Sequence, residues 1–220
     1  MNGIKLINSK NTNLIKSFVP FQEWGDNVSE NLLSDENVLE NVRIIEEYKF
    51  GKKIGILLME AKIKYENTFL PGLVVLRGPS CAVLMWYQKN DKIYVLMIRQ
   101  PRVATGKFVW EVPAGMLDGE TKNIKGKMLD EIEEETGIYP EKEKLVYLDT
   151  CYSSCGITDE KYMLFSLEID PYCVLNIHPE NLGTKDEVIK NIKVFNINEA
   201  PRKDVKFLAL KCLFLDKKIG

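Results

Sequence analysis

The sequence predicts an α+β fold: a mixed-sheet domain over residues 77–220, preceded by a smaller β-rich region over 1–76. Three observations carry this. Runs rich in Val, Ile, Leu and aromatics recur between turn residues from Val42 onward, the composition of buried strands. The Pro-free stretch 124–136 places Ile124, Met128 and Ile132 four apart, a helical spacing. A second stretch, 203–215, reads as an amphipathic helix with Val205, Leu208, Cys212 and Leu215 on one side.

In order, residues 1–40 are Asn-rich and read as an irregular lead-in with one short helix. VRIIEEYKF and KIGILLMEAKIKY flank Gly51-Lys52 as a hairpin, and Pro71-Gly72 introduces LVVLRG. CAVLMWYQ and KIYVLMIRQ form a second pair around Lys89-Asn90-Asp91. FVWEVPAGMLDG is a strand running into a loop, and Gly137 stops the helix that follows. KLVYLDTCY, KYMLFSLEI and NIKVFNI are further strands. Trp86 and Trp110 lie in apolar strands and read as core.

Composition narrows the chemistry. Of the 220 residues, 45% are hydrophobic and 28% charged, a globular balance. Thirty basic against 32 acidic residues leave a net charge of -2, without the basic footprint of a nucleic-acid binder. No apolar run approaches the ~20 residues of a membrane span, and the Asn- and Lys-broken N-terminus does not read as a signal peptide. The expectation is a cytoplasmic protein with its 5 cysteines reduced. The single histidine, His178, lies in a polar Pro-flanked stretch and reads as a solvated loop residue. Acid–base work in such a chain falls to carboxylates. Gly119, Gly126-Lys127 and Gly106-Lys107 hint at a phosphate loop, but the spacing and the following residues are wrong.

Residues 130–135, Asp-Glu-Ile-Glu-Glu-Glu, crowd carboxylates together. On a helix Glu131, Glu134 and Glu135 share a face, with Met128 and Ile132 turned elsewhere toward the core. Each like-charge pair there costs roughly a few tenths of a kcal/mol. A hard divalent cation offsets that cost, since magnesium takes oxygen ligands and is shared between carboxylates and substrate phosphates. A solvated acidic face is the plainer alternative. The strand and the Pro113-to-Gly119 loop ahead of the helix favour a metal, because such a loop brings backbone groups beside helical carboxylates.

The segment from Gly115 to Ile138 resembles a Nudix box, the metal-binding loop–helix of the Nudix hydrolases. Residues 131–138 match its second half. The first half departs: Glu120 follows Gly115 after four residues rather than five, and a longer spacer precedes Asp130. The resemblance extends over roughly residues 42–215. Gly78-Pro79 with Ala82-Val83, the turn Gln100-Pro101-Arg102-Val103-Ala104-Thr105-Gly106-Lys107 and the stretch Glu111-Val112-Pro113-Ala114-Gly115-Met116-Leu117-Asp118 are similar to ADP-sugar diphosphatases and ADP-ribose pyrophosphatases. Residues 153–160 resemble that group's Ser-x-Gly…Asp-Glu segment.

The resemblance implies an α/β/α sandwich and a hydrolase acting with Mg2+, or Mn2+ in its place, on a nucleotide sugar. Glu131, Glu134 and Glu135, with the backbone carbonyl of Ala114, would hold metal, and Glu131 and Glu134 would take part in catalysis. Glu187 in the acidic loop GTKDEVIKN would be the general base, with Asp186 beside it and Glu160 next in line. Arg102 would reach a substrate phosphate, Glu111 a metal-bound water or substrate, Gly156 the substrate, and Trp24 the base. For each, a surface or core role is the alternative. Relatives are commonly dimers through the N-terminal region, so a homodimer is expected, with neither nucleic acid nor membrane as partner. Asp130 stands where the family has an Arg that orients a catalytic glutamate. Lys127 is placed to reach Asp130 or Glu131 in its stead. The competing readings are a catalytically impaired binding module and a Nudix enzyme for UDP-glucose or dinucleotides.

Overall fold

The computed structural model describes residues 5–117, 123–184 and 188–219. The chain forms two compact units, residues 1–79 with 152–161, and residues 80–151 with 162–220.

The first unit is built on a long hairpin, β2 (Val38–Phe50) and β3 (Lys53–Tyr65), turned at Gly51 with φ +61°. The short strands β1 (Leu6–Ile7), β4 (Thr68–Phe69) and β5 (Leu73–Leu76) complete its sheet. Two helices, α1 (Thr12–Lys16) and α2 (Val19–Asn31), replace the expected irregular lead-in. Their polar faces hide the pattern in the sequence. Pro20, Phe21, Gly25 and Val28 nevertheless make one buried stripe, and with Ile15 they close a core over Val42, Ile44, Leu57, Met59 and Leu76. The segment 152–161 is tied to this unit by a backbone bond, Val75 N–H to Ile157 O at 2.8 Å, and by the Asp159 side chain, whose Oδ1 accepts from Arg77 N–H at 2.9 Å.

The second unit is a mixed sheet with a helix on each face. Its strands are β6 (Ser80–Lys89), β7 (Lys92–Arg102), β8 (Lys107–Glu111), β9 (Ala114–Met116), β10 (Leu145–Tyr152), β11 (Lys161–Glu168) and β12 (Asn191–Asn196). The order is β10-β11-β6-β7-β12, with β8 on β7 and β9 on β6; β11 runs parallel to β6. Strand alternation sets the two cores. Cys81, Val83 and Met85 face α3 (Ile124–Thr136) through Met128 and Ile132. Ala82, Leu84 and Trp86 face α4 (Val205–Ile219) through Phe207, Leu210 and Phe214. Trp86 packs on Phe214, and Trp110 is half-buried edge-on to Phe195.

Helix α3 begins and ends where the sequence predicts. Asn123 caps it through Gly126 N–H, and Gly137 closes it at φ +69°. Helix α4 buries a different stripe from the expected one. Val205, Leu208 and Cys212 are exposed, while Phe207, Leu210 and Phe214 are inside. Both stripes are apolar at helical spacing, and the Phe214 ring against Trp86 decides between them. Phe207→Ala is therefore expected to cost about 3–5 kcal/mol in urea unfolding, and Leu208→Ala less than about 1 kcal/mol. The reverse ranking would contradict this packing.

Candidate active site

The acids of α3 do not stand on a face opposite the core. Successive helical residues are rotated by about 100°, so Glu131 and Glu135 fall on the same buried arc as Met128 and Ile132. Both are buried, Glu135 fully. Glu134 lies about 60° outside that arc and is exposed; its backbone carbonyl accepts from Gly183 N–H at 2.8 Å. Asp130 also faces solvent. The cation beside Glu131 is Lys127, Nζ to Oε1 at 2.8 Å, the partner that the spacing allows.

The β8–β9 turn brings the expected loop against these carboxylates. Ala114 N–H donates to Glu135 Oε2 at 2.9 Å, and Gln100 Nε2 donates to Glu135 Oε1 at 2.6 Å. A Cβ at Gly115 would overlap the Glu131 carboxylate, so only glycine allows that approach. Behind the turn, Cys81 Sγ lies 3.6 Å from Gly115 O, and burial with the Glu131 charge pushes the thiol up to about 12. The sequence reading missed Gln100; its signal is an amide closing an apolar strand.

Glu111, at the end of β8, is buried rather than displayed. Arg102 grips it with Nε to Oε1 at 2.7 Å and Nη2 to Oε2 at 3.0 Å, and Lys206 Nζ reaches Oε2 at 3.0 Å. Two cations on one carboxylate do not fit a strand-end surface acid. Burial alone would raise the Glu111 carboxyl, but the Arg102 hydrogen bond and the Lys206 charge outweigh it and hold the group below its ordinary 4.5. For Lys206 burial pulls downward, and the charges of Asp204 and Glu111 overcome it and raise the ammonium. A carboxyl held low adds stability above its unfolded pKa and loses it as pH falls toward the folded value; an ammonium held high keeps its share until pH rises through its own. The stability gap between wild type and Glu111→Gln should therefore be full at neutral pH and narrow only below pH 4.5, toward Glu111's own depressed value. Urea unfolding across pH 3–7 checks this, and a flat gap would contradict it.

Trp24, Gly156 and Glu160 belong to the other unit. Trp24 is half-buried on Phe21 and lines a cavity of about 540 Å³ with Glu23, Asn27, Tyr152, Thr158 and Asp159. Gly156 is exposed, with open space around it. Glu160 is paired with Arg77 at 3.4 Å. His178 is solvent-exposed beside Glu180. Glu187, Asp186 and Glu120 lie outside the described residues. Among the described residues no three His, Cys, Asp or Glu side chains converge as a metal cluster, and no helix is long and apolar enough to cross a membrane.

Two buried carboxylates one turn apart are nonetheless a donor set for a hard divalent ion, since magnesium commonly uses one or two protein carboxylates and fills its shell with water and phosphate. The residues fit such an ion: Glu131 and Glu135 are oxygen donors, buried, and pressed against a backbone turn that leaves no room for a side chain.

Comparison with known proteins bears on this arrangement. A solved structure described as "Crystal structure of ADP compounds hydrolase" shares the fold at TM-score 0.58 and 14% identity, covering 86% of this chain and 98% of its own. Nudix hydrolase 14, chloroplastic, of Arabidopsis thaliana is 39% identical over 159 residues, 66% of this chain and 52% of its own. Putative nudix hydrolase 2 of Caenorhabditis elegans is 28% identical over 114 residues, 51% of this chain and 50% of its own. The chain thus spans about half the length of these curated relatives. The NUDIX domain model matches residues 76–213, which cover the whole buried-carboxylate site, and the chain belongs to the Nudix family.

Proposed function

We propose that the chain is a magnesium-dependent Nudix hydrolase that splits the diphosphate bond of a nucleoside diphosphate sugar, ADP-ribose or ADP-glucose, to AMP and a sugar phosphate. The observation that carries the reading is the burial of Glu131 and Glu135 one turn apart against Gly115. The sugar-nucleotide class rests on the motifs around Arg102, Pro113 and Gly156.

Glu131 and Glu135 would hold the metal, Mg2+ or Mn2+, with Ala114 at the same turn and Glu134 at the solvent side. A divalent ion bound there polarises a phosphoryl oxygen and lowers the pKa of water. Arg102 presents a guanidinium, whose paired N–H groups match phosphate oxygens. Glu111 orients that guanidinium through its two-point grip. Glu187 takes the proton of the attacking water. Trp24 offers its ring to the base, from the same subunit or from a partner in a homodimer, and Gly156 lets a ligand approach backbone. The cytoplasm is the proposed location.

A second reading rests on one observation, Asp130 in the place of the usual Arg. It makes the chain a binding module that holds a nucleotide sugar without cleaving it. The pairing of Lys127 with Glu131 favours the enzyme, because a cation already stands beside the ligand carboxylate. Nucleoside monophosphate release, as AMP from ADP-ribose, ADP-glucose and an adenine dinucleotide and as UMP from UDP-glucose, with Mg2+ and with Mn2+, separates the two. Release from the ADP-sugars supports the proposal, and binding without release supports the module. Release from UDP-glucose or the dinucleotide alone reassigns the substrate.

A further inference from the structure

We propose that Lys206 and Asp204, at the start of α4, are positioning residues of the diphosphate site: they hold Glu111, and through it Arg102, in the pose that receives a phosphate. This rests on the functional reading above. Asp204 is buried and works in three directions. Its Oδ2 accepts from Val112 N–H at 3.1 Å, its Oδ1 accepts from Lys206 N–H at 3.0 Å, and Lys206 Nζ lies 3.3 Å from Oδ1. The first two are one carboxylate joining the exit of β8 to the first turn of α4, where such a cap satisfies an otherwise unpaired backbone donor. Lys206 then spans from that cap to Glu111.

The consequence is mechanical. Helix α4 is anchored on the sheet by Phe207, Leu210 and Phe214. Lys206 carries that anchorage to Glu111, whose two oxygens are both engaged by Arg102. Asp204 carries it to the turn 112–114, which Glu135 grips from the other side through Ala114 N–H. The turn is thus pinned by one carboxylate of α3 and one that caps α4. Buried ion networks are a poor route to stability alone, because apolar replacements of like volume are often neutral or stabilising. What this one supplies is fixed geometry. The Arg102 side chain, 37% exposed, keeps one flank toward solvent while Glu111 sets its plane.

The test uses the full chain with Lys206→Met and Lys206→Arg. For ADP-ribose, Lys206→Met should raise KM about tenfold, the scale of losing an outer partner. kcat should fall by less than about threefold, because Arg102 grips phosphate alike in ground and transition states. Lys206→Arg should recover most of the loss. The deciding measurement is independent of turnover: 15N relaxation of the Arg102 Nε–H, expected to be ordered in wild type and Lys206→Arg and loosened in Lys206→Met. An Arg102 signal equally ordered in Lys206→Met overturns the inference, whatever KM does. If wild type releases AMP from no substrate, the functional reading fails, and the Arg102 order still decides this one. Should Lys206→Met not fold, Lys206→Gln, too short to span to Glu111, carries the same measurement.

Discussion

Glu135→Gln is expected to fold and to lose the proposed turnover by more than the roughly 10–100-fold that an outer partner of a metal site costs. The reasoning starts from its hydrogen bonds. Glu135 is fully buried and accepts from Gln100 Nε2 and from Ala114 N–H. A glutamine in its place keeps one acceptor for Ala114 and turns an amide N–H2 toward Gln100. A half-turn of the Gln100 amide offers that N–H2 an oxygen instead of a nitrogen. Without that rotation the unmatched donor would cost about 1–3 kcal/mol. The charge is lost in either case, and with it half of the anionic pair proposed to hold the metal. Near-wild-type urea stability combined with absent AMP release is the expected result. Retained turnover would remove Glu135 from the ligand set.

Gly115→Ala is the second large effect, and it acts through space rather than charge. The added methyl group would occupy the position of the Glu131 carboxylate. Glu131 is itself buried and tied to Lys127, so relief requires moving α3, the β9 backbone or the glutamate rotamer. Overpacking of this kind costs typically about 1–3 kcal/mol. The larger consequence is expected in metal binding, since the displaced atoms are the proposed ligand atoms. Mn2+ affinity followed by electron paramagnetic resonance should weaken by well over the roughly 10–100-fold that outer partners cost. Gly156→Ala, where a Cβ meets nothing and the backbone is not left-handed, is the control and should leave Mn2+ affinity unchanged.

Much of this architecture was legible in the residues themselves. Ile124, Met128 and Ile132 mark α3 and Gly137 marks its stop, and the structure adds the Asn123 cap at its start. The hairpin at Gly51 and the strands from Ser80 to Arg102 follow from runs rich in Val, Ile, Leu and aromatics between turns. Two failures have physical causes. Helix α2 hides because only one narrow stripe is apolar and a glycine sits within it. Helix α4 is apolar nearly all round, so periodicity offers two buried faces, and contact with Trp86 chooses the one through Phe214.

The site was legible in part. Gly115, Glu131 and Glu135 emerge from a local motif, because a turn and the helix after it meet regardless of the rest of the chain. Glu134 reads as their equal in sequence, and the rotation of the helix turns it outward. Gln100, Asp204 and Lys206 were not legible as site residues, since each reaches its partner across 35 to 95 residues of chain. Only the tertiary fold sets that kind of pairing, and no spacing rule encodes it.

The direct test is a crystal of the full chain soaked in Mn2+ with a non-hydrolysable ADP-ribose analogue and recorded at the manganese edge. An anomalous peak bonded to Glu131 and Glu135, with diphosphate oxygens completing its shell, is the predicted result. A bound analogue with no peak at those carboxylates, or a peak held elsewhere in the chain, would contradict the account.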